Sequence, residues 1–275
     1  MRRIAIVTGA SSGIGRETAL ELSRRDWLVA CVGRDPSRTR AVAQETGGEA
    51  FIADFDQLDD VRDLARQLTD RFDAIHAVVN NAGGLSARPA LSADGYELSL
   101  QRNVLGGVLL TESLLPVLTS SRARIVHTSS LMHRLARLDL NDLDYRRRRY
   151  GGGWLPYASA KLGVILYARS LAERTGLESY PVHPGYVRTS FGQDAPAIRA
   201  TLALTRRFQI SPQAGAAPLV HVTDTPELGV DNGTYFDGLT PALPKHPAAT
   251  DQTLIQAYFD EVARRVGLKE PSFAR

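Results

Sequence analysis

The chain has 275 residues, 43% of them hydrophobic and 23% charged, enough for one large α/β domain with a sizeable core. A net charge of +3 gives no global attraction for nucleic acid, and Cys31 as the only cysteine excludes an internal disulfide framework and a cysteine-rich metal site. No apolar run is long enough for a membrane span, and the run after Met1-Arg2-Arg3 stops at Thr8-Gly9 without a small-residue cleavage site, so a cytoplasmic protein beginning with a strand is expected.

Residues 4–7 form a short β-branched run of the kind found in buried parallel strands. Thr8-Gly9-Ala10-Ser11-Ser12-Gly13-Ile14-Gly15 follows, and residues 16–25 read as a helix. Strand, glycine-rich turn and helix together present backbone N–H groups and a positive helix end to a pyrophosphate. The glycine spacing differs from the usual dinucleotide fingerprint, so the context elements carry the argument.

A second strand, 27–32, ends at Gly33-Arg34-Asp35. An NAD site usually has an acid at this strand end to hold the ribose 2′-OH. Gly33 takes that place, and Arg34 offers a planar fork suited to a 2′-phosphate, which favours NADP over NAD. Asp35 is the competing ribose ligand, although an acid ahead of Pro36 equally starts a helix. Arg38 and Arg40 read as solvated charges, with Arg38 within possible reach of the phosphate.

A third strand, 49–53, closes on Asp54-Phe55, which suits an adenine edge; Asp54 also fits as an N-cap for a helix over 57–72. The fourth strand, 74–79, runs into Asn80-Asn81-Ala82-Gly83-Gly84, small residues that would admit a flat ligand. A long helix over 94–118 carries Asn103 among apolar residues. The fifth strand, 124–128, delivers Ser129-Ser130. Residues 132–153 read as a polar loop insertion whose run Arg146 to Arg149 forms a solvated basic face, with a flexible glycine approach at 151–153. A helix over 154–174 carries Tyr157 and Lys161 on one face, one turn apart, where the ammonium would lower the phenol pKa. That pair alone also fits an ordinary amphipathic helix. The sixth strand, 177–182, leads into His183-Pro184-Gly185-Tyr186-Val187-Arg188-Thr189. A lid-like region over 190–210, a helix over 212–222, a seventh strand over 233–237 and a helix over 250–266 complete the chain.

Thr8-Gly9, Gly13-Ile14-Gly15, Asn80-Asn81-Ala82-Gly83, Asn103, Ser130, Tyr157, Lys161 and Pro184-Gly185 occur in an order and spacing that resemble the classical short-chain dehydrogenases/reductases over nearly the whole chain. Ser129-Ser130-Leu131-Met132-His133, the long insertion before Tyr157 and residues 183–189 resemble the retinol-dehydrogenase-like branch more narrowly. The resemblance implies a single doubly wound Rossmann-type α/β domain spanning 1–275, with a seven-stranded, mainly parallel sheet and helices on both faces. It implies a carbonyl reductase or alcohol dehydrogenase in which Tyr157 exchanges the proton, Lys161 holds the nicotinamide ribose, Ser130 hydrogen-bonds the carbonyl and Asn103 holds a relay water. NADP(H) is the favoured cofactor and NAD(H) the alternative. The cofactor set implied is Gly9, Ser11, Ser12, Gly13, Ile14, Gly15, Arg34, Asp54, Phe55, Asn80, Ala82, Gly83, Tyr157, Lys161, Pro184, Gly185, Val187 and Thr189, with no metal. The partner implied is a small-molecule carbonyl or alcohol, apolar and fairly large; a monomer and a homo-oligomer both fit. The alternative from another class is a catalytically silent NAD(P)-binding protein.

Overall fold

β1 (Arg3–Thr8) is buried from its third residue, and its side chains alternate between two cores. Ala5 and Val7 join one cluster, and Ile6 joins the other. The computed structural model, which describes residues 2–188, 205, 207 and 209–268, places this strand inside an eight-stranded sheet. The others are β2 (Trp27–Gly33), β3 (Glu49–Ile52), β4 (Ala77–Asn80), β5 (Arg124–Thr128), β6 (Ser179–His183), β7 (Tyr235–Asp237) and β8 (Thr240–Ala242). Their order is β3-β2-β1-β4-β5-β6-β7-β8, and only the β7–β8 pair is antiparallel.

One face is covered by α1 (Gly13–Arg24), α2 (Pro36–Thr46) and α8 (Pro212–Asp224), through Ala19, Leu22, Val42, Leu219 and Val222. The opposite face carries α3 (Leu58–Arg71), α5 (Gly106–Ser113), α7 (Trp154–Thr175) and α9 (Gln252–Arg265), through Leu64, Leu110, Leu162, Ile165 and Phe259. Helices on both faces of a parallel sheet make the doubly wound fold expected. The chain order reverses between β1 and β4, so the crevice at their C-terminal ends is the place where such sheets bind ligands.

The eighth strand was not expected. Thr240-Pro241-Ala242 is too short to show alternation and contains a proline, which a sheet accepts at its edge. The helix expected over 94–118 is broken into α4 (Leu98–Leu100), a π-turn at Gln101–Leu105, α5 and α6 (Leu115–Ser120). Pro116 in the first turn of α6 accounts for the last break.

The insertion is ordered by side chains. Asp142 is buried and accepts from the Arg146 and Arg147 amides at 2.8 and 3.3 Å and from the Arg148 guanidinium at 3.1 Å. Arg148 also covers the Tyr145 ring at 4.0 Å. The run divides: Arg146, Arg147 and Arg149 are exposed, as a solvated face would be, while Arg148 and the backbone amides brace the loop on Asp142. The glycine run is not merely a loose approach to α7. Gly151, Gly152 and Gly153 all have positive φ, and a Cβ on Gly153 would lie 2.1 Å from the Ser86 carbonyl oxygen. Among the described residues no helix is long and apolar enough to cross a membrane.

Candidate active site

α7 is buried on all sides from residue 156 to residue 168, which a surface amphipathic helix would not be. Tyr157 and Lys161 are only 9% and 4% exposed. Lys161 Nζ donates to the Thr128 carbonyl at 2.7 Å and lies 5.6 Å from the centre of the Tyr157 ring. The Ser130 hydroxyl stands close enough to the Tyr157 phenol to favour its ionised form, and its Oγ accepts from the Met132 amide at 3.3 Å. Ser129 points elsewhere, and its Oγ donates to the Lys161 carbonyl at 3.1 Å, stitching the end of β5 to α7. Of the two adjacent serines, only Ser130 addresses the phenol.

Burial dominates the charges here. The Tyr157 phenol is pushed up to about 12 by desolvation, with Ser130 pulling the other way, and the Lys161 ammonium is pushed down to about 7. A phenol lowered by its lysine was expected. In the protein alone, loss of water outweighs the pairing, and Lys161 turns to a backbone carbonyl.

Asn103 sits within the π-turn. Its Nδ2 donates at 2.7 Å to both Ser99 O and Gly84 O. Ser99 O is the i−4 carbonyl that a regular helix would offer to the Asn103 N–H, so the side chain competes for the backbone acceptor at the irregularity. Asn103 Oδ1 is buried without a partner. A Cβ on Gly83 would lie 2.4 Å from that oxygen and 3.6 Å from Lys161 Nζ, so the two polar atoms converge on the space that this glycine leaves open.

The other end of the cleft is made of backbone. Gly9 and Gly13 have φ of 68° and 57°, and a Cβ on Gly15 would lie 2.3 Å from Gly9 O. Ser12 is the N-cap of α1 but its side chain makes no capping bond, and no acid lies in the first turn. The amides at this helix end are thus left for an anion. Thr8 Oγ1 accepts from the Asn81 and Ala82 amides at 3.0 and 2.9 Å, joining the ends of β1 and β4. The open helix end, the glycine cradle and the orphaned Asn103 oxygen together fit a dinucleotide lying along the strand ends.

At the end of β2, a Cβ on Gly33 would meet Thr39 Oγ1 at 2.6 Å and Ser11 Cβ at 3.1 Å. Asp35 caps α2, accepting from the Arg38 amide at 2.9 Å and pairing with the Arg38 side chain at 2.8 Å. Arg34 is exposed and makes no ion pair among the described residues. It borders an open depression of about 900 Å³ with Arg38, Arg40 and Gln44.

A family model described as short chain dehydrogenase matches residues 3–139. Human retinol dehydrogenase 13 is 33% identical over 98% of this chain and 86% of its own length. The chain belongs to the short-chain dehydrogenase/reductase family. A Streptomyces sp. (strain C5) protein provisionally named a daunorubicin C-13 ketoreductase is 36% identical over 85% of this chain and 82% of its own. A crystal structure from Beutenbergia cavernae, provisionally named an NAD(P)-dependent gluconate 5-dehydrogenase and holding NADP at low occupancy, has a TM-score of 0.68 at 26% identity, covering 86% of this chain and 95% of that one. The protein is an NAD(P)-family oxidoreductase of the retinol-dehydrogenase-like branch, acting on CH–OH or C=O groups of small molecules.

Several residues expected around the cofactor of this dehydrogenase/reductase also make contacts within the protein. Asp54 does not cap α3, whose N-cap is Gln57; it accepts instead from the Asp56 amide at 3.1 Å. The Phe55 ring is buried, and a Cβ on Gly106 would lie 2.6 Å from it. Asn80 donates to Thr111 Oγ1 at 2.9 Å. The Val187 side chain lies where a Cβ on Gly215 would come within 2.5 Å, and Gly185, at φ 93°, faces Ile210. Thr189 and most of the lid-like region at 190–210 lie outside the described residues.

Three positioning residues were missed. Thr8 links β1 to β4; Asn81 donates to Thr8 O at 3.0 Å and accepts from Thr128 Oγ1 at 3.3 Å; and Thr128 supplies the carbonyl for Lys161. Thr8 and Asn81 both stood within motifs of the sequence, without an assigned role, whereas Thr128 carried no signal.

Proposed function

We propose that this protein interconverts an alcohol and a ketone or aldehyde using NADP(H), with Tyr157 as the proton-exchanging group. The carrying observation is the meeting of the Ser130 hydroxyl, the Tyr157 phenol and the Lys161 ammonium in one buried place. Leu85 packs with Tyr157, and Ala87, Met132 and Trp154 lie against them, with the Trp154 ring edge-on to Tyr157 at 6.5 Å. That lining favours an apolar substrate.

Gly9, Ser11, Ser12, Gly13, Ile14 and Gly15 would hold the pyrophosphate, Ala82 and Gly83 would border the nicotinamide half, and Lys161 would hold its ribose. Bound, NADPH supplies the hydride. Ser130 and Tyr157 donate hydrogen bonds to the substrate oxygen, where negative charge grows during reduction, and Tyr157 then gives that oxygen its proton. Lys161 stabilises the phenolate left behind, and Asn103 Oδ1 offers an acceptor to a water returning a proton through Lys161. In oxidation the same groups act in reverse.

Arg34 supports NADP as the preferred cofactor. Among the described residues it has no ion-pair partner, whereas Arg38 is occupied by Asp35. The deciding experiment offers NADPH and a panel of apolar ketones and aldehydes, followed by nicotinamide absorbance. Wild type should turn over, and Tyr157→Phe should lose roughly 10²- to 10⁴-fold in kcat while binding NADPH as before. Equal inertness of the two proteins, both binding NADPH, would overturn the reading.

A further inference from the structure

Ser130 stands between the end of β5 and a 3₁₀ turn, Leu131–Leu135, that it caps. On the strand side, the Ser129 amide is held by Val182 O at 2.8 Å. On the turn side, a single residue occupies the Ser130 carbonyl twice. The His133 amide donates to it at 3.0 Å and His133 Nδ1 lies 2.7 Å from it. At the far edge of the ring, the Lys245 amide donates to His133 Nε2 at 3.0 Å. A backbone N–H only donates, so Nε2 is an acceptor and the ring proton sits on Nδ1. The imidazole is therefore neutral and in one tautomer, donating to Ser130 O and accepting from Lys245.

This ring is fully buried and lies edge-on to Tyr235 at 5.2 Å. Around it lie Arg134 on its own turn, His183 at the end of β6, Asp237 at the end of β7 and His246 beside Lys245. Burial lowers its pKa, in keeping with the neutral form. Short 3₁₀ turns have poor backbone hydrogen bonds of their own, so a side chain that doubles the bond to the capping residue matters more here than it would in a long helix.

We infer that His133 is a positioning residue for proton transfer: its Nδ1–H clamps the Ser130 carbonyl so that the Ser130 hydroxyl stays beside the Tyr157 phenol. Through Nε2 it anchors that clamp to the chain at Lys245. The inference rests on the reading that Ser130 and Tyr157 carry the reaction. The ring touches neither substrate nor cofactor; it acts through Ser130 alone.

Two amide substitutions separate the clamp from the anchor. In His133→Asn, the side-chain NH₂ takes the place of Nδ1 and still donates to Ser130 O, while the Lys245 acceptor is lost. In His133→Gln, the amide reaches toward the Nε2 position and keeps an acceptor for Lys245, while the Ser130 donor is lost. Because small displacements of a reacting group are costly, His133→Gln should lose roughly 10- to 100-fold in kcat with NADPH affinity unchanged, and His133→Asn should stay within about threefold of wild type. The second readout needs no turnover: tyrosine labelled with ¹³C at Cζ reports the surroundings of the Tyr157 phenol, the Ser130 hydroxyl among them. Ser130→Ala moves that resonance; His133→Gln should move it the same way, and His133→Asn should not.

Unchanged turnover and resonance in His133→Gln would overturn the inference. So would equal losses in the two variants, which would reduce the ring to packing. Wild type inert on every carbonyl would sink the proposed reaction, while the Tyr157 resonance would still decide the clamp.

Discussion

Gly9, Gly13 and Gly15 lie within one short turn, and what they offer is main chain: two left-handed residues, a close approach of Gly15 to Gly9 O and an uncapped helix end. Ser130, Tyr157, Lys161 and Asn103 come from the end of β5, from α7 and from a π-turn, and what they offer is side chains. The nucleotide end is local and tolerant of side-chain identity as long as the glycines remain. The proposed proton-transfer end is non-local, with Asn103, Tyr157 and Lys161 buried and Ser130 half-buried. A backbone site fails by steric intrusion, whereas a side-chain site fails when one partner is removed.

The largest effect expected from breaking this contrast is at Lys161. Lys161→Met should reduce kcat about a hundredfold or more. It should also change the stability of the cofactor-free protein. The ammonium is pushed down to about 7 from an ordinary value of 10.5, so between those values the unfolded chain binds the extra proton. The penalty is complete below about 7 and is relieved as pH rises toward 10.5, so wild-type stability gains a rising component across that window. Urea melts at several pH values should show that rise in wild type and a flatter profile in Lys161→Met.

Gly15→Ala tests the backbone end. Its Cβ would lie 2.3 Å from Gly9 O and 2.5 Å from Asn81 Nδ2, so the turn must open. Overpacking of this kind costs about 1–3 kcal/mol, and NADPH affinity measured by fluorescence titration should fall about tenfold or more. The Tyr157 ¹³C resonance should stay in place, because the two ends are built separately.

Arg34→Ala should weaken NADPH by roughly tenfold or more, the worth of a charge-assisted hydrogen bond, and leave NADH affinity nearly unchanged. Asp35→Ala is expected to act least. It removes the N-cap of α2 and should cost about 1 kcal/mol of stability without improving or weakening NADH relative to NADPH. A selective loss of NADH in that variant would make Asp35 a ribose ligand after all.

Much of this contrast could be read in the sequence. The strand at 4–7, the turn through Gly15 and the pair Tyr157 and Lys161 are short-range patterns, with spacings that carry their own geometry. The departures have physical causes. β8 is three residues with a proline, too short for a pattern. The helix through Asn103 is interrupted where its side chain takes the Ser99 carbonyl, a competition that apolar periodicity does not reveal. The arginine run reads as solvated and three of its side chains are exposed, but the pattern does not reveal Asp142 buried among its amides.

By itself, the sequence indicated the doubly wound fold and the glycine-built anion end, because strand pattern and glycine conformation are local properties; the residues proposed to exchange a proton came from a family resemblance, since helical spacing alone also fits an ordinary helix. Tertiary structure decided that Ser129 turns to the Lys161 carbonyl, that Asp35 rather than Arg34 is taken up at the start of α2, and that Thr8, Asn81 and Thr128 bind the strand ends together. It also reversed the expected charge balance at Tyr157. Spacing brings the ammonium near the phenol, but the surrounding core removes the water from both, and the cost of that removal depends on everything packed around them.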